Sequence, residues 1–296
     1  MKLTVALRAI DELGEGPWWS VADQCLWRVD IHGCLLHRWR PSDGNDETYS
    51  LPGAVGFAVP TAGKSLVLGL RQGIALFDPA DRSVDVLVHP APNRPEIRFN
   101  DGKTDRAGRL WGGTLTDDER EPTAALHRLE DDGSLATVVD GIVVSNGLGW
   151  SPDGLTMYYT DSGPQTIWAF DFDPETGEPA NRRVFATDTD HYPDGLTVDA
   201  EGGVWSAKWG GSRVVRYEAD GSISAVIESP VSRPTSCMFG GPGLATLYVT
   251  SARVGLDSDE VRQTPAGSVL AVEPGVVGIP EVPWRGIDRA AATAQP

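Results

Sequence analysis

A short turn followed by an apolar strand recurs along the chain at nearly constant spacing. Successive turn markers lie between 40 and 48 residues apart, and they are Asp23, Gly63, Gly108, Gly154, Gly202 and Gly243. The segment after each turn has the alternation of a strand, as in QCLWRVDI (24–31) and GVWSAKW (203–209), and another strand-like segment follows it. A period of about 40 to 50 residues with several strands per unit is typical of β-propellers. The sequence therefore predicts an all-β fold, a six-bladed β-propeller.

The six units occupy almost the whole length of the chain. Residues 1–296 are therefore expected to form a single six-bladed β-propeller domain. The segment LTVALRA (3–9) is expected to complete the C-terminal blade, and 288–296 to form a flexible tail. Helix-period runs are rare, and the 34 glycines and 22 prolines agree with a fold built from strands and turns.

Composition and charge exclude several classes of protein. The sequence has no run of about 18 apolar residues and no signal-peptide pattern, which predicts no membrane association and a cytoplasmic location. A formal net charge of −17 repels nucleic acids and anionic membrane surfaces. The three cysteines form no CxxC pair, so neither a disulfide framework nor a structural zinc site is predicted.

One polar position repeats in register with the turns. Eight residues before the markers, four units have a polar side chain and the other two have Val55 and Thr235; the four are Glu15, Asn100, Asn146 and Asp194. Each Asx-Gly pair taken alone is ordinary turn chemistry. The innermost strand of a blade begins near the axis, so the four side chains are expected to converge at one mouth of the channel. Carboxylate and amide oxygens suit calcium, magnesium or manganese better than copper, which predicts a metal site on the central axis.

Over nearly its full length the sequence resembles the family of regucalcin (senescence marker protein), gluconolactonases and luciferin-regenerating enzymes. The motifs that carry the resemblance are LGEGPWW (13–19), RFNDGKTDRAGRLWGGTL (98–115), SNGLGWSPDGLTMYYTDS (145–162), YPDGLTVDAEGGVW (192–205), TSCMFGG (235–241) and LYVTSAR (247–253). The resemblance implies a six-bladed propeller that binds one divalent metal on its axis and hydrolyses sugar lactones such as glucono-, xylono- or arabinolactone. Calcium is the favoured metal, with magnesium, manganese, zinc and ferrous iron as alternatives.

The family's three metal-ligand positions correspond to Glu15, Asn146 and Asp194, and Asp194 also corresponds to the catalytic base. The expected reaction is metal-assisted opening of a lactone ring to an aldonic acid. The ion would polarise the carbonyl, and Asp194 would take a proton from the attacking water. The residues leave open whether Asp194 or a hydroxide on the metal is the working base.

The resemblance also implies substrate contacts. Arg98 and Asn100 match substrate-contacting positions, and Asp118 stands where regucalcin-like sequences have a substrate-contacting Glu. Because Asp118 has a shorter side chain and lies in an acidic loop (116–123), a solvated surface connection is an equal interpretation of this segment. Most of the ten tryptophans are expected in the blade cores, but four are expected near the mouth, where an apolar wall would pack against a sugar face: Trp18, Trp19, Trp150 and Trp209.

Three other classes of function stay open, because a fold does not specify an activity. A related propeller could hydrolyse phosphotriesters or other esters, although that would call for a more apolar pocket than Arg98 and Asn100 indicate. A non-enzymatic calcium-binding regulatory protein would need no arginine beside the ligands. A protein-interaction propeller would need no carboxylates that converge on the axis.

Overall fold

The computed structural model describes residues 1–286, which form six four-stranded antiparallel sheets. Strand β1 spans Thr4–Leu7. The first three sheets, blades 1 to 3, consist of β2 (Gly14–Ser20), β3 (Cys25–Asp30), β4 (Leu35–Arg40) and β5 (Asn45–Ser50); β6 (Val55–Pro60), β7 (Leu66–Leu70), β8 (Gly73–Phe77) and β9 (Val84–Val88); and β10 (Ile97–Thr104), β11 (Leu110–Thr116), β12 (Ala124–Leu129) and β13 (Leu135–Ile142).

Blades 4 and 5 follow the same order. Their strands and those of blade 6 are β14 (Ser145–Trp150), β15 (Thr156–Asp161), β16 (Thr166–Asp173) and β17 (Glu178–Thr187); β18 (Tyr192–Val198), β19 (Val204–Trp209), β20 (Arg213–Tyr217) and β21 (Ile223–Glu228); and β22 (Pro234–Gly240), β23 (Thr246–Ser251) and β24 (Val269–Val272). A 3-10 turn (Pro242–Leu244) and helix α1 (Ser258–Gln263) lie in blade 6. In residues 1–286 no helix is long and apolar enough to cross a bilayer. The prediction of an all-β, six-bladed propeller is confirmed.

The N-terminal strand closes the ring. Strand β1 pairs with β24, with Thr4 opposite Ala271, so that the last blade combines the two ends of the described chain. This is the strand that the sequence assigned to the C-terminal blade. The predicted tail, 288–296, lies outside the described residues.

Burial decreases from the axis outwards. The first strand of each blade packs against the first strands of its neighbours, as β6 does against β2 and β10. Strands β7 and β8 are buried at every position, whereas the outermost strand β9 is largely exposed. A strand covered on both faces needs apolar residues throughout, which is why LVLGL and GIALF lack a polar alternation. Phe57 of β6 meets Phe99 of β10 edge-on at 5.9 Å, which joins blades 2 and 3.

An aspartate holds the turn that sets the repeat in two of the blades. In blade 3, Asp105 Oδ1 accepts backbone N–H bonds from the turn, and its Oδ2 accepts the Trp111 indole N–H at 3.1 Å. In blade 5, Asp199 does the same, with the Trp205 indole N–H at 2.8 Å. A buried carboxylate that ties a turn to the strand after it explains why turn and Trp-containing strand recur together.

The segment after β24 crosses the end of the ring where the inner strands finish. Gly278 pairs with the end of blade 5, and Trp284 pairs with that of blade 2. The Glu281 carboxylate lies 3.5 Å from both the Lys103 ammonium and the Arg106 guanidinium of blade 3. Since the inner strands all run in one direction along the axis, their starting ends face away from this segment. The predicted polar residues lie at those starting ends.

Candidate active site

Every innermost strand has an irregularity in its pairing near its starting end. The register of β2 with β3 shifts between Glu15 and Trp18, and that of β18 with β19 shifts between Pro193 and Leu196. The other four inner strands shift at the equivalent place. A β-bulge bends its strand and turns a side chain out of the sheet. The repeated bulge is therefore the local reason why one side chain per blade can point along the axis.

Glycine follows the polar residue where the backbone must turn or pack closely. Gly16 has a φ of +51°, in the left-handed region that glycine adopts without strain, and its N–H bonds Oε2 of Glu15 at 2.8 Å. A Cβ at Gly195 would lie 2.0 Å from Oγ of Ser236 on the neighbouring blade. Only glycine can follow Asp194 in the strand, since any side chain at position 195 would clash with Ser236. This close packing of two blades holds the Asp194 carboxylate at the axis.

The structure brings the four predicted axial residues together around one cavity. Its volume is about 350 Å³, and these four side chains are 5 to 9 % exposed. They are Glu15, Asn100, Asn146 and Asp194. Val55 and Thr235, at the equivalent positions of blades 2 and 6, are not among the residues that line it. We call the four polar residues the axial layer.

A second layer of residues surrounds the mouth of the cavity. It consists of the residue two places before each axial residue together with its neighbour across the sheet: Leu13 with Ile31, Arg98 with Leu115, Val144 with Ser162, and Tyr192 with Trp209. Glu119 and Gly163 complete the lining. Residues two apart on a strand point to the same side. We call these four pairs the rim layer.

A chain of hydrogen bonds fixes the amides of the axial layer. Nη1 of Arg98 donates to Oδ1 of Asn100 at 2.7 Å, and Nδ2 of Asn100 donates to Oδ1 of Asn146 at 2.9 Å. Nδ2 of Asn146 donates to Oγ of Ser162 at 2.8 Å, and this hydroxyl donates to the Pro193 carbonyl at 2.6 Å. These hydrogen bonds connect three blades. Because Nδ2 of Asn146 faces Ser162, its Oδ1 points away from Ser162.

The two axial carboxylates are destabilised as anions. Burial, followed by the nearby Asp101 carboxylate, raises the pKa of Glu15 to about 8. Burial, then the charges of Glu15 and Asp101, raises the pKa of Asp194 well above its ordinary value. Within residues 1–286 neither carboxylate forms an ion pair with a basic side chain. A cation bound between them would offset this repulsion.

The donor set fits a hard divalent cation. Glu15 and Asp194 offer carboxylate oxygens and Asn146 an amide oxygen, and such ligands suit calcium or magnesium. A group of three or more His, Cys, Asp or Glu residues arranged to hold a metal is absent from residues 1–286. The predicted set contains two carboxylates and an amide, so it is not a group of that kind.

The acidic loop of blade 3 contributes a different residue from the one that the sequence indicated. Asp118 is exposed, accepts a hydrogen bond from the Thr116 hydroxyl at 2.8 Å, and does not line the cavity. Its neighbour Glu119 lines the cavity, and its backbone has a φ of +54°. A left-handed backbone at a glutamate has no sequence signal, so Glu119 could not be found from the loop sequence.

The expectation for the tryptophans is wrong for three of the four. Trp209 lines the cavity, whereas Trp18, Trp19 and Trp150 are 2 to 4 % exposed and belong to apolar clusters between strands. These three lie beyond the bulge on their strands, where side chains point sideways into the adjacent blades.

Two residues that line the cavity, Tyr192 and Ser162, were missed by the sequence analysis. Tyr192 lies two residues before Asp194, so the alternation of side chains along a strand could have indicated it.

A family model described as the SMP-30/Gluconolactonase/LRE-like region matches residues 13–253. The chain belongs to this family. Regucalcin from Danio rerio is 36% identical over 293 residues, which cover 97% of this chain and 99% of that protein. L-arabinolactonase from Azospirillum brasilense is 38% identical over 286 residues, which cover 94% and 93%.

Solved structures of the SMP-30/gluconolactonase/LRE-like family have the same architecture. A calcium-binding regucalcin from Agrobacterium tumefaciens superposes with a TM-score of 0.91 at 28% sequence identity, over 96% of this chain and 97% of that chain. Relatives in the family have different names, since one is a regucalcin and another an L-arabinolactonase. Family membership therefore leaves the substrate to be argued from the site.

Proposed function

We propose that this protein is a metal-dependent lactonase that opens sugar lactones, such as glucono-, xylono- or arabinolactone, to aldonic acids. The observation that carries the proposal is the convergence of Glu15, Asn146 and Asp194 with Arg98 in one cavity at the start of the inner strands. Membership of a family that includes an L-arabinolactonase supports the same reaction. A surface that only binds other proteins has no need of two buried carboxylates on its axis.

One divalent cation would be held by Glu15, Asn146 and Asp194, with calcium favoured and magnesium, manganese, zinc or ferrous iron as alternatives. When bound, it would supply Lewis-acid polarisation of the lactone carbonyl. The unpaired carboxylates and the fixed Asn146 amide support this assignment. The calcium-binding relative of known structure agrees with calcium as the first choice.

Asp194 would handle the proton of the attacking water. Its carboxylate accepts a proton as the water oxygen bonds to the carbonyl carbon, and the bond from that carbon to the ring oxygen then breaks. The proton passes to the ring oxygen, which leaves as a hydroxyl of the open-chain acid. Burial and the charges of Glu15 and Asp101 raise the pKa of Asp194 above its ordinary value, so its carboxylate has a higher proton affinity than that of an exposed aspartate. A bound cation would lower that affinity again.

Arg98 and Asn100 would have different tasks. Both Nδ2 hydrogens of Asn100 are engaged, by the Ser145 carbonyl at 2.8 Å and by Asn146, so Asn100 orients its neighbours. Arg98 uses Nη1 internally, while its Nε and Nη2 donate to no group within residues 1–286. These N–H groups would bind ring hydroxyls or the oxygen on which charge develops. Glu119, on the same side of the cavity, would accept from a ring hydroxyl in place of Asp118.

The proposal is tested by proton release on addition of gluconolactone, xylonolactone or arabinolactone to chelator-stripped protein. The measurement is repeated after calcium, magnesium, manganese, zinc or ferrous iron is restored separately. Turnover above the spontaneous rate that returns only with metal is the expected result. Absence of turnover in protein shown by calorimetry to bind a metal would refute the lactonase function and favour another ester substrate or a calcium-binding role.

A further inference from the structure

The rim layer has two chemically different sides. Blade 3 presents Arg98, and Glu119 lies close enough for its negative charge to attract the Arg98 guanidinium. Blade 5 presents two aromatic side chains, Tyr192 and Trp209. Both rim residues of blade 1 are aliphatic, and so is Val144 of blade 4. A ligand in this cavity therefore meets charge on one side and an aromatic surface on another.

Tyr192 and Trp209 lie side by side on one face of blade 5. They lie directly opposite each other in the pairing of β18 with β19, so both side chains project from the same face of the sheet. Tyr192 is 47% exposed, and among the large hydrophobic side chains exposed in residues 1–286 it is the aromatic one. An exposed aromatic side chain at the mouth of a cavity has no packing role in the blade core.

Arg233 supports Trp209 from outside the cavity. It occupies in blade 6 the position that Arg98 occupies in blade 3, two residues before the axial position held by Thr235. Arg233 does not line the cavity; its guanidinium lies 4.9 Å from the centre of the Trp209 ring, and its Nη1 donates to the Val254 carbonyl. This contact restrains the Trp209 ring while its cavity side remains available.

We infer that Tyr192 and Trp209 are specificity-determining residues that stack on the C–H face of the substrate ring, with Arg233 as the positioning residue for Trp209. The inference rests on the proposed lactonase function and adds the orientation of the ring. The hydroxyl-bearing edge turns towards Arg98 and Glu119 in blade 3, and one C–H face lies on the aromatic pair in blade 5. Aromatic surfaces favour apolar faces of this kind.

Stacking of this type acts equally on bound substrate and transition state, so its loss should appear in KM and leave kcat unchanged. Trp209→Ala and Tyr192→Ala are each expected to raise KM for gluconolactone about tenfold, with kcat within about twofold of wild type. Trp209→Phe keeps an aromatic face and should restore most of the affinity. Arg233→Gln should raise KM by a smaller factor, about threefold, because the ring remains but is less restrained.

The matched control is Trp168→Ala. Trp168 is also half-buried and also has an arginine over its ring, with Arg182 at 3.9 Å, but it does not line the cavity. Its KM should equal that of wild type. Calcium affinity, measured by calorimetry, should be the same in Trp209→Ala as in wild type, because Trp209 is outside the proposed ligand set.

A binding measurement separates this inference from the proposed reaction. Gluconolactam, in which an N–H replaces the ring oxygen, resists hydrolysis, and its Kd is measured by calorimetry in wild type and variants. A Kd about tenfold weaker in Trp209→Ala supports ring stacking even if no lactone is hydrolysed. Three results would each overturn the inference of ring stacking. The first is that Trp209→Ala leaves both Kd and KM unchanged, and the second is that it lowers kcat or calcium affinity while KM stays unchanged. The third is that wild type binds no lactam.

Discussion

Asn100 of blade 3 donates a hydrogen bond from Nδ2 to Oδ1 of Asn146 in blade 4, at a distance of 2.9 Å. Both groups are buried, and each amide has a further partner, so neither can rotate without losing a bond. The contact joins two inner strands at the axis. It also fixes which atom of Asn146 is available to a cation.

Ser162 is expected to influence metal affinity through Asn146. Ser162→Ala removes the acceptor for Nδ2 of Asn146, so the amide is less well oriented, and outer partners of a ligand contribute about 10-fold to affinity or more. Calorimetric titration of chelator-stripped protein with calcium should show a calcium affinity about tenfold weaker in Ser162→Ala than in wild type. Ser222→Ala, on a surface turn beside Asp220, is the control and should bind calcium as wild type does. Equal affinities in the two variants would contradict the role of Ser162.

Asp194→Asn is expected to remove most lactone turnover while the propeller stays folded. Asparagine retains an oxygen for a cation but cannot accept the proton of the attacking water, and loss of a general base costs about 100-fold or more. Turnover is measured from proton release. Folding is measured by thermal unfolding of protein from which a chelator has removed the metal. Because burial and neighbouring charges oppose the Asp194 anion, the metal-free variant should be no less stable than wild type. Turnover near the wild-type rate would exclude Asp194 as the base.

Glu119 and Asp118 are expected to behave differently although they are adjacent. Glu119 lines the cavity and Asp118 does not, so Glu119→Gln should raise KM for sugar lactones, whereas Asp118→Asn should have no effect. A lost hydrogen bond to a charged acceptor corresponds to about tenfold. Steady-state kinetics with gluconolactone and arabinolactone measure both variants. A larger effect from Asp118→Asn would reverse the assignment.

Glu281 is expected to stabilise the fold from the end opposite the cavity. Its side chain and that of Lys103 are 7% and 8% exposed, and Glu281→Gln would remove the negative partner of the buried Lys103 ammonium, which also donates to the Leu196 carbonyl. Loss of one member of a buried ion pair costs about 3 kcal/mol. Urea unfolding should show this decrease. Glu228→Gln breaks the exposed pair with Lys2 and should change little, so a similar effect from both would contradict the prediction.

His127 is expected to reduce stability in acid. Burial lowers its pKa to about 4 in the folded protein, against about 6.5 in the unfolded chain. The unfolded chain therefore binds the proton first, and stability that is present above pH 6.5 is lost as the pH falls towards 4, by about 3 kcal/mol. His127→Asn can still bond Thr137 but does not titrate. Its unfolding free energy should fall less than that of wild type between pH 6.5 and 4; parallel curves would refute the prediction.

The fold could be predicted because its signals are local and repeated. A turn held by Asp105 or Asp199 and the Trp-containing strand after it form within a few residues, and the repeat multiplies that signal. The axial layer could be predicted for the same reason. Residues at one offset in a repeat occupy equivalent places in each blade, so Glu15 and Asp194 could be related across almost 180 residues.

The sequence by itself determined the six-bladed architecture, the closing N-terminal strand and the position of the axial polar residues. Only the tertiary structure decided that Glu119 rather than Asp118 reaches the cavity, that Arg233 lies on Trp209, and that Glu281 meets Lys103. The physical reason is the range of the interactions. Strand periodicity and turn chemistry act between near neighbours, whereas these contacts depend on how separate blades and the final segment pack in three dimensions.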